Sequence, residues 1–277
     1  MPTIVNPPGF ENAAAGASQS TAPRERRDIR IWSRSYPGLR RVIGAVRFIL
    51  RLGPWRNLCI RALRSLSANE ALPRCAATLF PELAPEAMAT RIEQSGFSPG
   101  LTLPKASVEN ILDFLEDRAE SDRGHRDCEE IYRVSHDPEL LEVVRRYLGA
   151  EPILHSSYLF WIHPRAFEST PYPERFHYDV SDFKGLCVYF YLSDVRECNG
   201  AHVAIEGTHR HKSLRQLVSP FLSDEAAEKY GSRVRTLTGP AGYGFFEDQL
   251  TYHKRLACRE PRLALQLNYT LHRKPRL

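Results

Sequence analysis

The spacing of apolar residues along the chain changes once, at Gly149. Before this glycine, apolar side chains recur every three or four residues, which is typical of amphipathic helices. The segments with this spacing are 85–95, 105–120 and 137–148. After Gly149 the period falls to two, which predicts strands. These segments are 153–163, 174–180, 185–193, 201–206, 233–238, 243–248 and 262–271, with one short helix expected near 224–230.

The order of these elements restricts the fold. Helices come first and strands follow without βαβ alternation, which argues against a parallel sheet and favours an antiparallel jelly-roll. We therefore predict a mainly β fold with flanking helices (α+β). Its core would be a double-stranded β-helix (jelly-roll, cupin-like), with the N-terminal helices packed outside.

The last predicted strand, 262–271, has two distinct faces. Because side chains alternate along a strand, its leucines should pack against the helices while its polar face lines the barrel interior. The leucines are Leu263, Leu265 and Leu267, and the other face carries Arg262, Ala264, Gln266 and Asn268.

The sequence before the jelly-roll divides into two parts. Residues 1–30 are rich in Ala, Ser, Gly and Pro, which predicts a disordered or extended tail. Residues 31–70 predict a helical extension with two short basic amphipathic helices, separated by Gly53-Pro54, which stops the first. The second helix begins at Trp55. The jelly-roll domain would then occupy residues 71–277.

Positive charge is concentrated in this extension. Twelve arginines stand between positions 24 and 66 against one Glu and one Asp, a net charge of +10. The whole chain carries +5, so residues 67–277 carry −4 once Glu11 is counted. Two interpretations stay open for 38–67: its helices lie in a membrane interface with arginines on anionic headgroups, or they pack on the main domain with arginines in solvent. Sparse aromatic residues and the lack of a recognition motif argue against nucleic-acid binding.

Cysteine usage and hydropathy indicate a cellular location. The six cysteines form no CxxC pair, so free thiols in a reducing compartment are the simpler interpretation. The N-terminus shows no basic segment followed by an apolar one, and no run approaches 18 apolar residues. We therefore expect a cytoplasmic protein.

The stretch Phe176-His177-Tyr178-Asp179 carries the first candidate chemistry. In a strand, His177 and Asp179 point to one face, which supplies two ligands of a 2-His-1-carboxylate iron site. Such a pair is common by chance, and ordinary strand-end hydrogen bonds would also explain it. His253, which lies 76 residues after His177 and follows a predicted strand, is well placed to be the third ligand.

Arg262 adds an anion-binding group nine residues after His253. An arginine inside a barrel is costly without an anionic partner. A dicarboxylate co-substrate would provide one, held by the planar guanidinium fork. A salt bridge to a protein carboxylate is the alternative.

Three further pieces give these residues a specific order: Leu192-Ser193-Asp194-Val195, the turn Asn199-Gly200, and Glu206-Gly207-Thr208-His209. Together with the His-x-Asp strand, the distal histidine and the later arginine, they resemble the phytanoyl-CoA dioxygenase family of Fe(II)/2-oxoglutarate-dependent oxygenases, over roughly residues 85–270. Glu206 and Thr208 depart from the family's Pro and Ser. Arg255 stands where a small residue is usual, which leaves the detail of the co-substrate pocket open.

The resemblance implies a cofactor set and residue roles. His177, Asp179 and His253 would bind Fe(II), and Arg262 would hold the distal carboxylate of 2-oxoglutarate, with O2 as oxidant. Tyr158 would be a hydrogen-bond partner of the co-substrate, or else a barrel-wall tyrosine. His209 matches the family's turn histidine, which is not a ligand. His202 and His211 have no matching role and are predicted to be structural.

The retained Asp179 favours hydroxylation, because related halogenases carry a small residue there. A catalytically silent jelly-roll binding protein is the rival hypothesis. The substrate would be a small or lipid-linked molecule: the segments 182–186 and 191–195 look like bacterial members that include Kdo hydroxylases of lipopolysaccharide. A natural-product hydroxylase is the other possibility. The basic segment 38–67 suits a protein placed peripherally on the inner membrane, and the sequence does not indicate an oligomeric state.

Overall fold

A computed structural model describes residues 55–66, 70–116, 123–164, 174–213, 216 and 220–271. The predicted tail over 1–30 and the predicted helix before Gly53 lie outside these residues, so both stay predictions. The same holds for the three-part division of the chain. None of the helices described has the length and apolar character that crossing a bilayer requires.

The predicted helices that fall within the described residues are present, together with two short ones that the pattern did not indicate. The helices are α1 (Arg56–Leu66), α2 (Pro85–Ser95), α3 (Lys105–Glu116), α4 (Gly124–Asp127), α5 (Glu129–Ser135), α6 (Pro138–Leu148) and α7 (Asp224–Glu228). Helix α6 begins where Asp137 accepts hydrogen bonds from the backbone of Glu139 and Leu140, with Pro138 in the first turn. It ends at Gly149, whose φ of 72° closes the helix in a left-handed cap.

The strands are β1 (Phe97–Thr102), β2 (Ile153–Ile162), β3 (Phe176–His177), β4 (Gly185–Tyr191), β5 (His202–Ile205), β6 (Phe221–Leu222), β7 (Val234–Leu237), β8 (Tyr243–Asp248), β9 (His253–Arg255) and β10 (Arg262–Thr270). Strand β3 is far shorter than the predicted 174–180, and Asp179 lies beyond its end. The pattern missed β1, β6 and β9. In β1 the register shifts between Pro99 and Leu101, which breaks the alternation on which the prediction relied.

Two five-stranded sheets make up the body. The larger has the order β1-β8-β4-β10-β2 and the smaller has the order β6-β3-β9-β5-β7. All of their strand pairs are antiparallel. The predicted double-stranded β-helix with flanking helices is confirmed.

The faces of β10 also follow the prediction. Leu263, Leu265 and Leu267 are fully buried in the same apolar cluster as helix residues such as Ile92 and Val144. Burying each leucine contributes about 1.5–3 kcal/mol, so this contact fixes the helices on the outer face of the larger sheet. The opposite face of β10 therefore lies towards the smaller sheet.

Helix α1 is oriented differently from either prediction. Two of its arginines point to the body: Arg56 Nε donates to the Phe183 carbonyl (2.8 Å) and Arg64 Nε donates to the Leu148 carbonyl (2.6 Å). Leu58 belongs to the apolar face of this helix, which the packing interpretation places against the main domain, yet it is 69% exposed. The physical reason is that guanidinium groups satisfy carbonyls, including one at the end of α6, while their stems cover apolar surface.

The contact between α1 and Gly149 gives a stability prediction. Changing Gly149 to Ala should cost about 1–2 kcal/mol through the left-handed backbone alone. The new Cβ would also stand 2.6 Å from Arg64 Nε, so Arg64 should give up its hydrogen bond to Leu148. The free energy of unfolding, measured in urea, should therefore fall further than for Gly231→Ala, where φ is +50° and no atom lies within 4 Å. Equal losses for the two variants would contradict the role given to Arg64.

Candidate metal centre

Three predicted ligands meet at one point in the structure. Strands β3 and β9 pair so that His177 lies directly opposite His253. Asp179 follows two residues later, and its backbone N–H donates to the Gln249 carbonyl at 2.7 Å. One ligand atom from each of His177, Asp179 and His253 lies within 4.8 Å of the others. The sequence pattern therefore led to residues that the fold brings together.

Backbone carbonyls orient both imidazoles. His177 Nδ1 lies 2.8 Å from the Arg175 carbonyl, and His253 Nδ1 lies 3.0 Å from the Thr251 carbonyl. A carbonyl only accepts, so each Nδ1 donates a proton to it, and Nε2 is the ring atom left to face a metal. His253 Nε2 is 3.8 Å from Asp179 Oδ2.

The donor set fits a ferrous ion. Two imidazole nitrogens and one carboxylate on one side of a metal are the arrangement found in non-haem Fe(II) oxygenases. Both histidines are 7% exposed, and burial lowers the pKa of His253, which keeps that imidazole neutral as a ligand must be. The side chain of Asp179 is 39% exposed, so one side of the cluster is open.

Arg262 is an anion-binding group without a protein anion. It is 4% exposed, and its Nε has no hydrogen-bond partner. Among the described residues, no carboxylate forms a salt bridge with it; its guanidinium stands 5.1 Å from the Tyr191 ring centroid. Burial lowers the pKa of Arg262, a sign that the charge is poorly solvated. An anionic ligand would relieve this cost.

Arg255 brings a second guanidinium to the same end of the barrel. It follows His253 by two residues in β9, so it shares the inward face, and it pairs with His202 across β5. One of its nitrogens is 3.7 Å from Glu174 Oε1. Its charge is among the causes that lower the pKa of Arg262, after burial itself. Arg255 therefore adds a second positive charge near Arg262.

Tyr158 lies at the edge of the larger sheet. It pairs with Gln266 across β2 and β10, so it belongs to the inward face that also carries Arg262. It is 41% exposed, as expected for a side chain at the mouth of the barrel. Its role as a contact of the co-substrate stays a prediction.

Two residues of the site were missed by sequence reasoning: His202, which was predicted to be structural, and Glu247. His202 Nε2 lies 3.0 Å from Glu247 Oε1, and the imidazole stacks on His253 with ring centroids 5.2 Å apart. Burial raises the pKa of Glu247 to about 8 and lowers that of His202 to about 3, so a carboxylic acid faces a neutral imidazole at neutral pH. Both residues are polar side chains at inward-facing positions of predicted strands, and this was the signal that the sequence offered.

The other histidines of the turn region lie apart from the cluster. His209 Nε2 is 3.2 Å from the Glu93 carbonyl, in the contact between the turn and α2. His211 is exposed. Among the described residues, the cluster of possible metal ligands consists of His177, Asp179 and His253.

Comparisons with known proteins identify the fold. No protein-family model matches the sequence, and no curated protein matches it. Solved structures do match, among them the non-haem α-ketoglutarate-dependent epimerase SnoN from nogalamycin biosynthesis (TM-score 0.55, 16% identity, 67% of this chain and 82% of the other). The carbocyclase SnoK from the same pathway matches with a TM-score of 0.52, 16% identity, and coverage of 70% and 87%. EctD from S. alaskensis in its apoform matches with a TM-score of 0.52, 20% identity, and coverage of 72% and 83%.

At these identities the likeness shows the fold alone. The jelly-roll predicted from the sequence is the fold that these proteins share, so the two lines of evidence agree on architecture. The chemistry must be argued from the side chains of this chain.

Replacing a predicted ligand gives a direct test of the metal centre. His177→Ala should abolish Fe(II) binding, because a single imidazole and a carboxylate remain. Anaerobic calorimetric titration of the metal-free protein with Fe(II) would measure this loss. His136→Ala is the matched control, since His136 is also buried but stacks on Tyr132 in the helical layer. Undiminished Fe(II) affinity in His177→Ala would exclude this site.

Proposed function

We propose that the protein is an Fe(II)/2-oxoglutarate-dependent oxygenase that hydroxylates an unactivated C–H bond. One observation carries the proposal: inside the barrel, a cluster of two imidazoles and one carboxylate accompanies Arg262, which is buried and whose Nε has no hydrogen-bond partner. The first group suits Fe(II), and the second suits the far carboxylate of a dicarboxylate. Two of the solved structures of similar fold are α-ketoglutarate-dependent enzymes, which supports the reaction class.

Each residue has a definite task in this proposal. His177, Asp179 and His253 would hold Fe(II), which with O2 and 2-oxoglutarate supplies the oxidising power as the co-substrate is converted to succinate and CO2. Arg262 would bind the distal carboxylate and so fix the orientation of the co-substrate. The rings of Tyr191 and Phe245 line the interior beside these groups and would exclude water.

Hydroxylation is the proposed outcome because Asp179 keeps the carboxylate ligand in place. Neighbours of similar fold are described as an epimerase and a carbocyclase, so other outcomes of the same oxidising chemistry are distinguished by the product. Hydroxylation adds one oxygen atom to the substrate, epimerisation leaves its mass unchanged, and ring closure removes two hydrogens.

The first test is turnover of the co-substrate. Protein incubated with Fe(II), 2-oxoglutarate and O2 should retain iron and form succinate, faster when a substrate is present. Asp179→Ala should lose this activity. No succinate with any substrate, together with no retained iron, would overturn the proposal and favour the silent jelly-roll binding protein.

Arg262 provides a second prediction for the same assay. Arg262→Gln should raise the 2-oxoglutarate concentration needed for half-maximal rate on the order of 10- to 100-fold, because hydrogen bonds to charged groups contribute about 1.5–3 kcal/mol. Fe(II) affinity should stay unchanged, since Arg262 does not belong to the metal cluster. Arg196→Gln is the control: Arg196 forms an exposed ion pair with Glu260. An unchanged requirement for 2-oxoglutarate would remove Arg262 from the site.

The substrate is proposed to be a small or lipid-linked molecule, with the Kdo sugar of a lipopolysaccharide precursor as a specific candidate. Peripheral membrane contact through residues 38–67 belongs to this proposal. On α1, Leu58 is 69% exposed and Arg61 is exposed, a combination suited to an anionic interface. Mass spectrometry of lipids and metabolites from a strain lacking the gene would reveal a compound that has lost one oxygen.

The orientation of α1 decides how membrane contact is tested. Arg56 and Arg64 attach this helix to the domain, so the deletion should remove residues 1–54 and keep α1. The shortened protein should bind vesicles containing anionic lipid more weakly than the full chain. Equal binding of both proteins would remove residues 38–54 from the proposal.

A further inference from the structure

Three imidazole rings form a row inside the barrel. His253 is in the middle: its ring centroid is 4.4 Å from that of His177 and 5.2 Å from that of His202. The planes of His253 and His202 differ by only 20°, so His202 covers one face of the central ring. The proposed metal ligand His253 is therefore stacked against a second histidine, His202.

Glu247 joins this row to the opposite sheet. Its Oε1 lies 3.0 Å from His202 Nε2, and its Oε2 lies 3.7 Å from His253 Nδ1. Glu247 belongs to β8 of the larger sheet, whereas both histidines belong to the smaller one. The carboxyl group thus spans the barrel interior and reaches both rings from behind.

The surrounding side chains restrict Glu247 and His202 to one arrangement. Glu247 is 1% exposed and His202 is 7% exposed. Aromatic rings confine the imidazole, with centroids at 5.3 Å for Tyr189 and 5.1 Å for Phe245. Close packing of this kind leaves little room for a change of rotamer.

The fold itself does not call for a polar pair here. The next inward position on β5 is Ala204 and the preceding one on β8 is Phe245, and both belong to the apolar cluster between the sheets. Burying an acid and an imidazole carries a desolvation cost unless each hydrogen-bonds the other. An apolar pair would therefore fill the same space with a smaller desolvation cost. A polar pair against a metal ligand points to a role at the metal centre.

We propose that Glu247 and His202 are positioning residues of the metal centre, which hold the His253 ring in the orientation that directs Nε2 to the metal. The Thr251 carbonyl fixes one edge of this ring through Nδ1. The stacked His202 ring and the carboxyl group of Glu247 limit its remaining rotation. This inference rests on the proposed function, because it assigns His253 to the metal.

Outer partners of metal-bound histidines typically account for 10- to 100-fold in metal affinity or activity. Removing either residue should therefore weaken binding without removing a ligand. His202→Ala and Glu247→Ala should each raise the dissociation constant for Fe(II) on the order of 10-fold. His202→Phe keeps a ring against His253 and should recover most of the loss. Glu247→Gln keeps a hydrogen bond to His202 and should do the same.

The experiment titrates metal-free protein with Fe(II) under anaerobic conditions by calorimetry, and repeats the titration with Co(II). The visible absorption of bound Co(II) reports ligand geometry independently of activity, and it should change in the two alanine variants. Glu130→Ala is the matched control, because Glu130 is 6% exposed and pairs with Arg133 in the helical layer. Thermal unfolding of each metal-free variant shows that it is folded at the titration temperature.

The outcomes separate this inference from the proposed function. If the wild-type protein binds neither metal, the proposed function fails. If it binds both metals and the alanine variants match it in affinity and spectrum, the positioning role is overturned. An equal loss in Glu130→Ala would also overturn it, because general destabilisation would then explain the effect. If Glu247→Ala does not fold, the comparison of His202→Ala with His202→Phe decides the matter.

Discussion

The pairing of β3 with β9 is the constraint on which the candidate site depends. It places His177 opposite His253, and a shift of either strand by one residue would turn its own histidine to the outer face and separate the two ligands. The two strands are only two and three residues long, so their own ladder cannot secure the register. The layer behind them does so: the rings of Tyr178 and Tyr252, each next to a histidine in sequence, meet edge to face at 5.2 Å. Lys212 seals this layer, since its Nζ donates to the Thr208 and Leu250 carbonyls and stands over both rings.

The helices support the segment that leads from β8 into β9. Asp248 ends β8 and accepts hydrogen bonds from the Tyr147 hydroxyl of α6 and from the backbone of Leu250. Lys184 stands 3.9 Å above the Tyr147 ring and pairs with Glu93 of α2 at 2.8 Å. Residues 248–252 connect β8 directly to His253. The contact between the helices and the larger sheet therefore also determines the position of this histidine. Packing in the outer layer thereby holds the side chains inside the barrel in a defined geometry.

The interior combines charges that the protein alone does not balance. Arg262 is buried with a donor unsatisfied, and burial keeps Glu247 protonated at neutral pH. Asp179 is the partly exposed carboxylate that faces the two imidazoles. A dication between these ligands and a dianion against Arg262 would complete the pattern, which is why the same arrangement argues for a metal and for a co-substrate. Under the proposed function, the site is organised for ligands rather than for maximal stability.

The sequence by itself determined the fold class and the faces of β10, because alternation and turn residues act locally and can be read along the chain. The candidate metal-binding triad came from the His-x-Asp strand together with the order of motifs that resembles a known family. The sequence also indicated Arg262, since an inward arginine needs an anion. It did not reveal that Arg56 and Arg64 of α1 face the domain, because only a neighbouring carbonyl decides whether a guanidinium turns inward. It missed β9, whose three residues are too few for a period to appear. The pairing of His202 with Glu247, and their position behind His253, depended on two sheets closing over each other; contacts between residues 45 positions apart arise from tertiary structure alone.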